Sequence, residues 1–202
     1  MSKGLAFGAA GAVVLALGGM FAVTSFGGND FADCGATNVA ADIGGSFSLQ
    51  DATGQVVTDA DIITEPTLIY FGFTFCPDFC PVDMARNAAA VDILAEQGIS
   101  ATPVFISIDP ERDTPEIVGQ YALNFHDKAI GLTGTPDQVA GASKAYRTFY
   151  QKDGSGDPEY YLMQHTTLTY LTLPDHGFVE FYRNTASPEE VAASVACFAA
   201  AV

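Results

Sequence analysis

The stretch Thr67-Leu68-Ile69-Tyr70-Phe71-Gly72-Phe73 is an unbroken apolar, β-prone run, and it constrains the fold more than any other part of the chain. A strand without polar alternation has to be covered on both faces, so it belongs at the centre of a sheet with layers above and below. Cys76-Pro77-Asp78-Phe79-Cys80-Pro81 follows and leads into a run of Ala, Val, Met and Leu to about Glu96. That run predicts a helix starting at Pro81, where a missing N–H costs nothing, and stopped by Gly98. Pro103-Val104-Phe105-Ile106-Ser107-Ile108 is a second buried strand. Strand, helix, strand in this order makes a parallel crossover.

The remaining elements fit around that unit. Phe47–Gln50 and Gln55–Val57 flank the turn-forming Asp51-Ala52-Thr53-Gly54 and predict an N-terminal β-hairpin. Helices are expected over 114–123 and 136–149, with a short strand near 129–132, as an insertion. Thr167–Leu173, the turn Pro174-Asp175-His176-Gly177 and Phe178–Tyr182 form a terminal hairpin, and a last helix runs over 188–199. The plan βαβ then ββα around one mixed sheet is the thioredoxin-like α/β arrangement. With 202 residues there is room for one such domain and not for two.

Ahead of the domain, the stretch Leu5–Phe26 is apolar or small apart from Thr24 and Ser25. About 22 residues in a helix span roughly 33 Å, enough to cross a bilayer. Lys3 precedes the stretch while Asp30 and Asp33 follow it, which places the bulk of the chain outside the cytoplasm. The expected organisation is a membrane anchor over 1–28, a linker over 29–42 and a folded domain over 43–202. A cleaved signal peptide competes with an uncleaved anchor, but the stretch is long for one and no small-x-small site closes it. Asp33 before Cys34 argues against lipidation. The net charge of −16 excludes a chain that neutralises nucleic-acid phosphates.

Cys76 and Cys80 stand where the first buried strand hands over to its helix, the end of such sheets at which reactive groups gather. The helix's leading amides favour anions there, so the Cys80 thiol is expected to ionise more readily than a free one. Three residues separate the cysteines, one more than in thioredoxin redox pairs. This spacing allows a disulfide, inert or redox-active when the protein is metal-free, and equally allows both sulfurs to face one external atom. His126, at a helix end, reads as a carbonyl cap, and His176 as a solvated turn residue. His165 immediately precedes the terminal strand, in the loop that faces the cysteines in thioredoxin-like folds. Disulfide-exchange enzymes carry a cis-proline at this place, whereas the chain has Gln164-His165-Thr166.

Three segments in this order resemble the Sco (SenC/PrrC) family of membrane-anchored copper proteins needed to assemble cytochrome c oxidase. They are Gly72–Pro81, the hallmark Ser107-Ile108-Asp109-Pro110-Glu111-Arg112-Asp113-Thr114-Pro115, and Tyr161-Leu162-Met163-Gln164-His165-Thr166, within a match over about Gly45 to Phe198. Phe75 stands where many members have histidine and is assigned no ligand role. The resemblance implies one copper ion, Cu(I) or Cu(II), held by Cys76, Cys80 and His165, a donor set that also suits zinc. It further implies that Asp109 orients His165 or tunes metal charge, against the simpler reading of a helix cap. Arg112 and Asp113 are readable as a local ion pair.

The implied function is that of a copper chaperone at the periplasmic face of a bacterial inner membrane. It would deliver copper to, or reduce the cysteines of, the CuA centre of oxidase subunit II, with other copper chaperones or thiol reductants as further partners. A thiol-disulfide oxidoreductase using Cys76 and Cys80 is the competing class, and a redox sensor a third. Cys34 and Cys197 flank the domain, and an oxidising compartment would allow a disulfide between them. The alternative is a free linker thiol at Cys34 and a buried apolar Cys197.

Overall fold

The computed structural model describes residues 31–35, 43–154 and 160–202. The expected anchor over 1–28 and most of the linker lie outside the described residues, among which no helix is long and apolar enough to cross a membrane.

The hairpin forms from β1 (Ser48–Gln50) and β2 (Val56–Thr58), with Leu49 opposite Val57. Asp51 closes its turn by accepting the amides of Thr53 and Gln55. After the single-turn helix α1 (Asp59–Ile62) comes β3 (Thr67–Gly72), every residue of which is buried. Helix α2 (Phe79–Glu96) crosses to β4 (Thr102–Ser107), which pairs parallel to β3 with Thr67 opposite Thr102. Helix α3 (Pro115–Leu123), β5 (Ile130–Leu132) and helix α4 (Pro136–Ala145) follow. A separate two-stranded ribbon of β6 (Tyr150–Lys152) and β7 (Met163–His165) leads into β8 (Leu168–Leu173), β9 (Gly177–Arg183) and helix α5 (Pro188–Ala200). The main sheet has the order β5-β4-β3-β8-β9, parallel on one side of β3 and antiparallel on the other. This is the thioredoxin-like plan predicted above.

Side chains of β3 reach two apolar clusters. Leu68 packs with Leu94 of α2 and Val195 and Phe198 of α5. Ile69 and Phe71 belong to the other cluster, with Val118 of α3, Val139 of α4 and Leu49 of the hairpin. Three helices start alike: Thr114, Thr135 and Ser187 each accept an amide three residues on, and each is followed by proline at the first helical position.

Three boundaries differ from expectation. Helix α2 begins at Phe79, which makes Pro81 its third residue; amides of a first turn have no intrahelical acceptor, so proline is tolerated there too. Helix α4 ends at Ala145, because Arg147 takes a left-handed φ of 50° and turns the chain toward the ribbon. His165 does not sit in a bare loop ahead of the terminal strand: it ends β7, opposite Tyr150.

A 3-10 turn, Ala32–Cys34, docks against the domain. Cys34 and Cys197 are joined by a disulfide, and the Phe31 ring meets Phe198 at 5.3 Å and His176 at 5.4 Å. His176 belongs to the β8–β9 turn, which lies beside the start of β3, because Thr67 pairs with Thr172. The attachment is therefore at the opposite end of the sheet from the cysteine motif.

Candidate metal centre

Past Gly72 the chain leaves the sheet, and Asp113 holds it in place. Its buried carboxylate accepts the Thr74 amide at 3.0 Å, the Thr74 hydroxyl at 2.5 Å and the Ser107 hydroxyl at 2.5 Å. Burial raises the pKa of that carboxyl, against the pull of these bonds. Cys76 then lies at the rim, partly exposed, and Cys80 is buried in the first turn of α2. The Cys80 amide donates to the Cys76 sulfur at 3.4 Å. Gly72 makes room for the inner thiol: a Cβ there would stand 2.8 Å from the Cys80 sulfur.

His165 arrives from the other side on β7. Its Nδ1 donates to the Thr166 carbonyl at 2.9 Å, and Nε2 stands 3.5 Å from the Cys80 sulfur. A carbonyl can only accept, so Nδ1 carries a proton, and Nε2 is the ring nitrogen that faces the sulfurs. Tyr70 and Phe73 meet the ring edge-on at 6.1 and 5.9 Å and fix its plane. The two sulfurs and the imidazole nitrogen lie within 4.8 Å of one another. Above them opens a depression of about 340 Å³, with Pro77, Asp78, Phe79, Leu162 and Met163 in its walls.

The thiols divide the proton unequally. A hydrogen bond from Cys80 is the main reason that Cys76 is drawn down to about 4; burial opposes it, while His165 and the amides of Cys80 and Asp78 add to it. Cys80 moves the other way and keeps its proton, through that same bond to Cys76 and through burial. The expectation that Cys80 ionises more readily is therefore corrected: the leading helix amide points at the Cys76 sulfur, so the helix end stabilises the outer thiolate.

The neighbours are arranged differently from the sequence reading. Asp109 does not bond the imidazole; its carboxylate accepts Arg112 Nε and the Tyr161 hydroxyl, each at 2.6 Å. His165 takes its orientation from the Thr166 carbonyl instead. Arg112 pairs with Asp109 rather than Asp113, which is turned toward Thr74 and Ser107. Phe75 is half exposed and packs near Tyr160 at 6.3 Å. His126 accepts the Lys128 amide and faces Asp92 at 3.4 Å, away from the cysteines, and His176 rests on Phe31. Sequence reasoning missed Tyr70, Tyr161 and the β6–β7 ribbon. The strands of the ribbon are joined by a long connection rather than a tight turn, so no hairpin signal marks them, although Tyr161 stands inside the third family-like segment.

With this geometry in hand, comparisons with known proteins give one answer. A profile of the SCO1/SenC family matches residues 35–200. Protein SenC of Rhodobacter capsulatus is 50% identical over 201 residues, covering 98% of this chain and 90% of that protein. The crystal structure of Arabidopsis thaliana ScoI with copper bound superposes with a TM-score of 0.71 at 40% identity, covering 77% of this chain and 98% of that one. Bradyrhizobium japonicum ScoI with copper bound gives 0.68 at 38% identity, covering 76% and 98%. The protein therefore belongs to the SCO1/SenC family.

Proposed function

We propose that this chain binds one copper ion through Cys76, Cys80 and His165. Tethered by residues 1–28 to the periplasmic face of a bacterial inner membrane, it delivers copper to, or reduces the cysteines of, the CuA centre of cytochrome c oxidase subunit II. The convergence of two sulfurs and one imidazole nitrogen within 4.8 Å carries this reading. Soft thiolates with one imidazole suit Cu(I), and the copper-bound relatives favour copper over zinc. The disulfide between Cys34 and Cys197 supports an oxidising, exported location.

The proton arrangement supplies an order of events. The hydrogen bond between the thiols draws Cys76 toward the thiolate and holds the proton on Cys80, so the inner sulfur gives up a proton to become a ligand and loading is pH-dependent. Cys76, at the rim, is the ligand that an acceptor thiolate reaches first; Cys80, buried in α2, lets go later. An open depression permits that exchange, where a closed four-ligand cage would hinder it. The test is a Cu(I) titration of the full chain in detergent against a competing chelator. One ion per chain and a loss of more than about tenfold in affinity for His165→Ala are expected; an unchanged affinity would overturn the ligand set.

A second reading rests on the same inequality between the thiols. Cys76 thiolate can attack an acceptor disulfide, releasing one acceptor thiolate; Cys80, losing its proton, then attacks the mixed disulfide and releases the second. Two electrons pass and a Cys76–Cys80 disulfide remains. Turnover of a disulfide substrate that survives His165→Ala would favour this reading over copper delivery.

A further inference from the structure

Arg112 lies in the turn after β4, yet it reaches both the loop that leads to Cys76 and the approach to the histidine-bearing ribbon. Its Nη1 donates to the Tyr161 carbonyl at 2.9 Å, on the strand approach to His165, and its Nε donates to Asp109 at 2.6 Å. The guanidinium carbon stands 3.6 Å from the Tyr161 ring centroid, 5.1 Å from that of Phe75 and 5.9 Å from that of Phe73. Phe75 immediately precedes Cys76, and Phe73 is the ring set edge-on against His165. Asp109 completes the arrangement by accepting the Tyr161 hydroxyl at 2.6 Å.

The need for such a contact follows from the topology. Cys80 belongs to a helix packed on the main sheet, but His165 comes from a ribbon of two three-residue strands that is not part of that sheet. A ribbon of this size has little stability of its own. Asp113 secures Thr74 to β4, which fixes the cysteine loop but does nothing for the ribbon. Arg112 spans both. A planar guanidinium donates along its edge while its face meets aromatic rings, and an ammonium group cannot do both at once.

We infer that Arg112 is a positioning residue for the metal centre: its guanidinium clasps the cysteine loop to the histidine-bearing ribbon and thereby sets the sulfur-to-imidazole separation that an entering ion meets. The inference rests on the copper reading above. Asp109 acts through this clasp, by holding Arg112 and Tyr161, and does not touch the ring.

The test compares full-length wild type, Arg112→Lys and Arg112→Ala in detergent. Three quantities are read: Cu(I) affinity, nitrogen hyperfine coupling from His165 in the Cu(II) form, and amide hydrogen exchange of the metal-free protein. Both variants are expected to bind copper about 10- to 100-fold more weakly and to lose the imidazole coupling. Amides over 73–80 and 161–166 should exchange faster together, while β3 and β4 stay protected. Wild-type affinity and coupling in Arg112→Lys would overturn the inference, as would exchange that rises across the whole domain, which marks a merely structural residue. Should the arginine variants fail to fold, Phe75→Ala decides, since that ring is half exposed. A weakening of about two- to fivefold supports the clasp, and an unchanged affinity overturns it. Wild type that binds no copper would sink the copper reading, whereas the exchange data, taken without metal, would still decide on the clasp.

Discussion

A methyl group added at Gly72 would lie 2.8 Å from the Cys80 sulfur and 2.9 Å from the Phe105 ring, closer than carbon settles against either. Gly72→Ala is therefore expected to push the inner thiol off its position and to cost about 1–3 kcal/mol, measured by urea unfolding, with weaker copper binding alongside. At the rim, the thiolate of Cys76 predicts a distinct pH profile. Only thiolate reacts with iodoacetamide, so alkylation of metal-free protein should hold a plateau through neutral pH and fall as pH drops through about 4. A midpoint near the ordinary thiol value of 9.0 would contradict the hydrogen-bonded arrangement. The ligand residues themselves were legible, because two cysteines at a strand end and a histidine in a quoted motif survive as letters. Which sulfur holds the proton was not, since that depends on the hydrogen bond between the thiols and on which of them folding buries.

Helix α2 is fastened to the sheet by a buried polar group rather than by apolar contact alone. Arg86 donates to the Arg183 carbonyl at 2.8 Å and the Thr169 hydroxyl at 2.6 Å, and pairs with Asp83 at 2.8 Å. Burial pushes the Asp83 carboxyl up and the Arg86 guanidinium down, so each depends on the other to stay charged. Arg86→Met should cost about 3–5 kcal/mol in chemical denaturation, because it strands a buried carboxylate. Long elements were readable from pattern, β3 above all by its continuous apolar run. The β6–β7 ribbon was not, because no tight turn joins its short strands. The clasp at Arg112 escaped because its partner Tyr161 is 49 residues away.

Across the whole molecule, the disulfide closes a loop with a sequence separation of 163 residues. Long loops restrict the unfolded chain most, so the double variant Cys34→Ser, Cys197→Ser should lose about 2–4 kcal/mol of stability. Copper stoichiometry should not change, since neither sulfur is near the metal centre; a lost ion would mean that the two ends of the domain communicate. β3 has six residues, a length of roughly 20 Å, and it separates the stapled N-terminal segment from the thiols. Under the proposed tethering by residues 1–28, copper would ride at the far pole from the mooring, and a receiving centre flush with the lipid headgroups would sit on the wrong side of this domain. The proposed delivery therefore calls for a recipient that projects well clear of the bilayer.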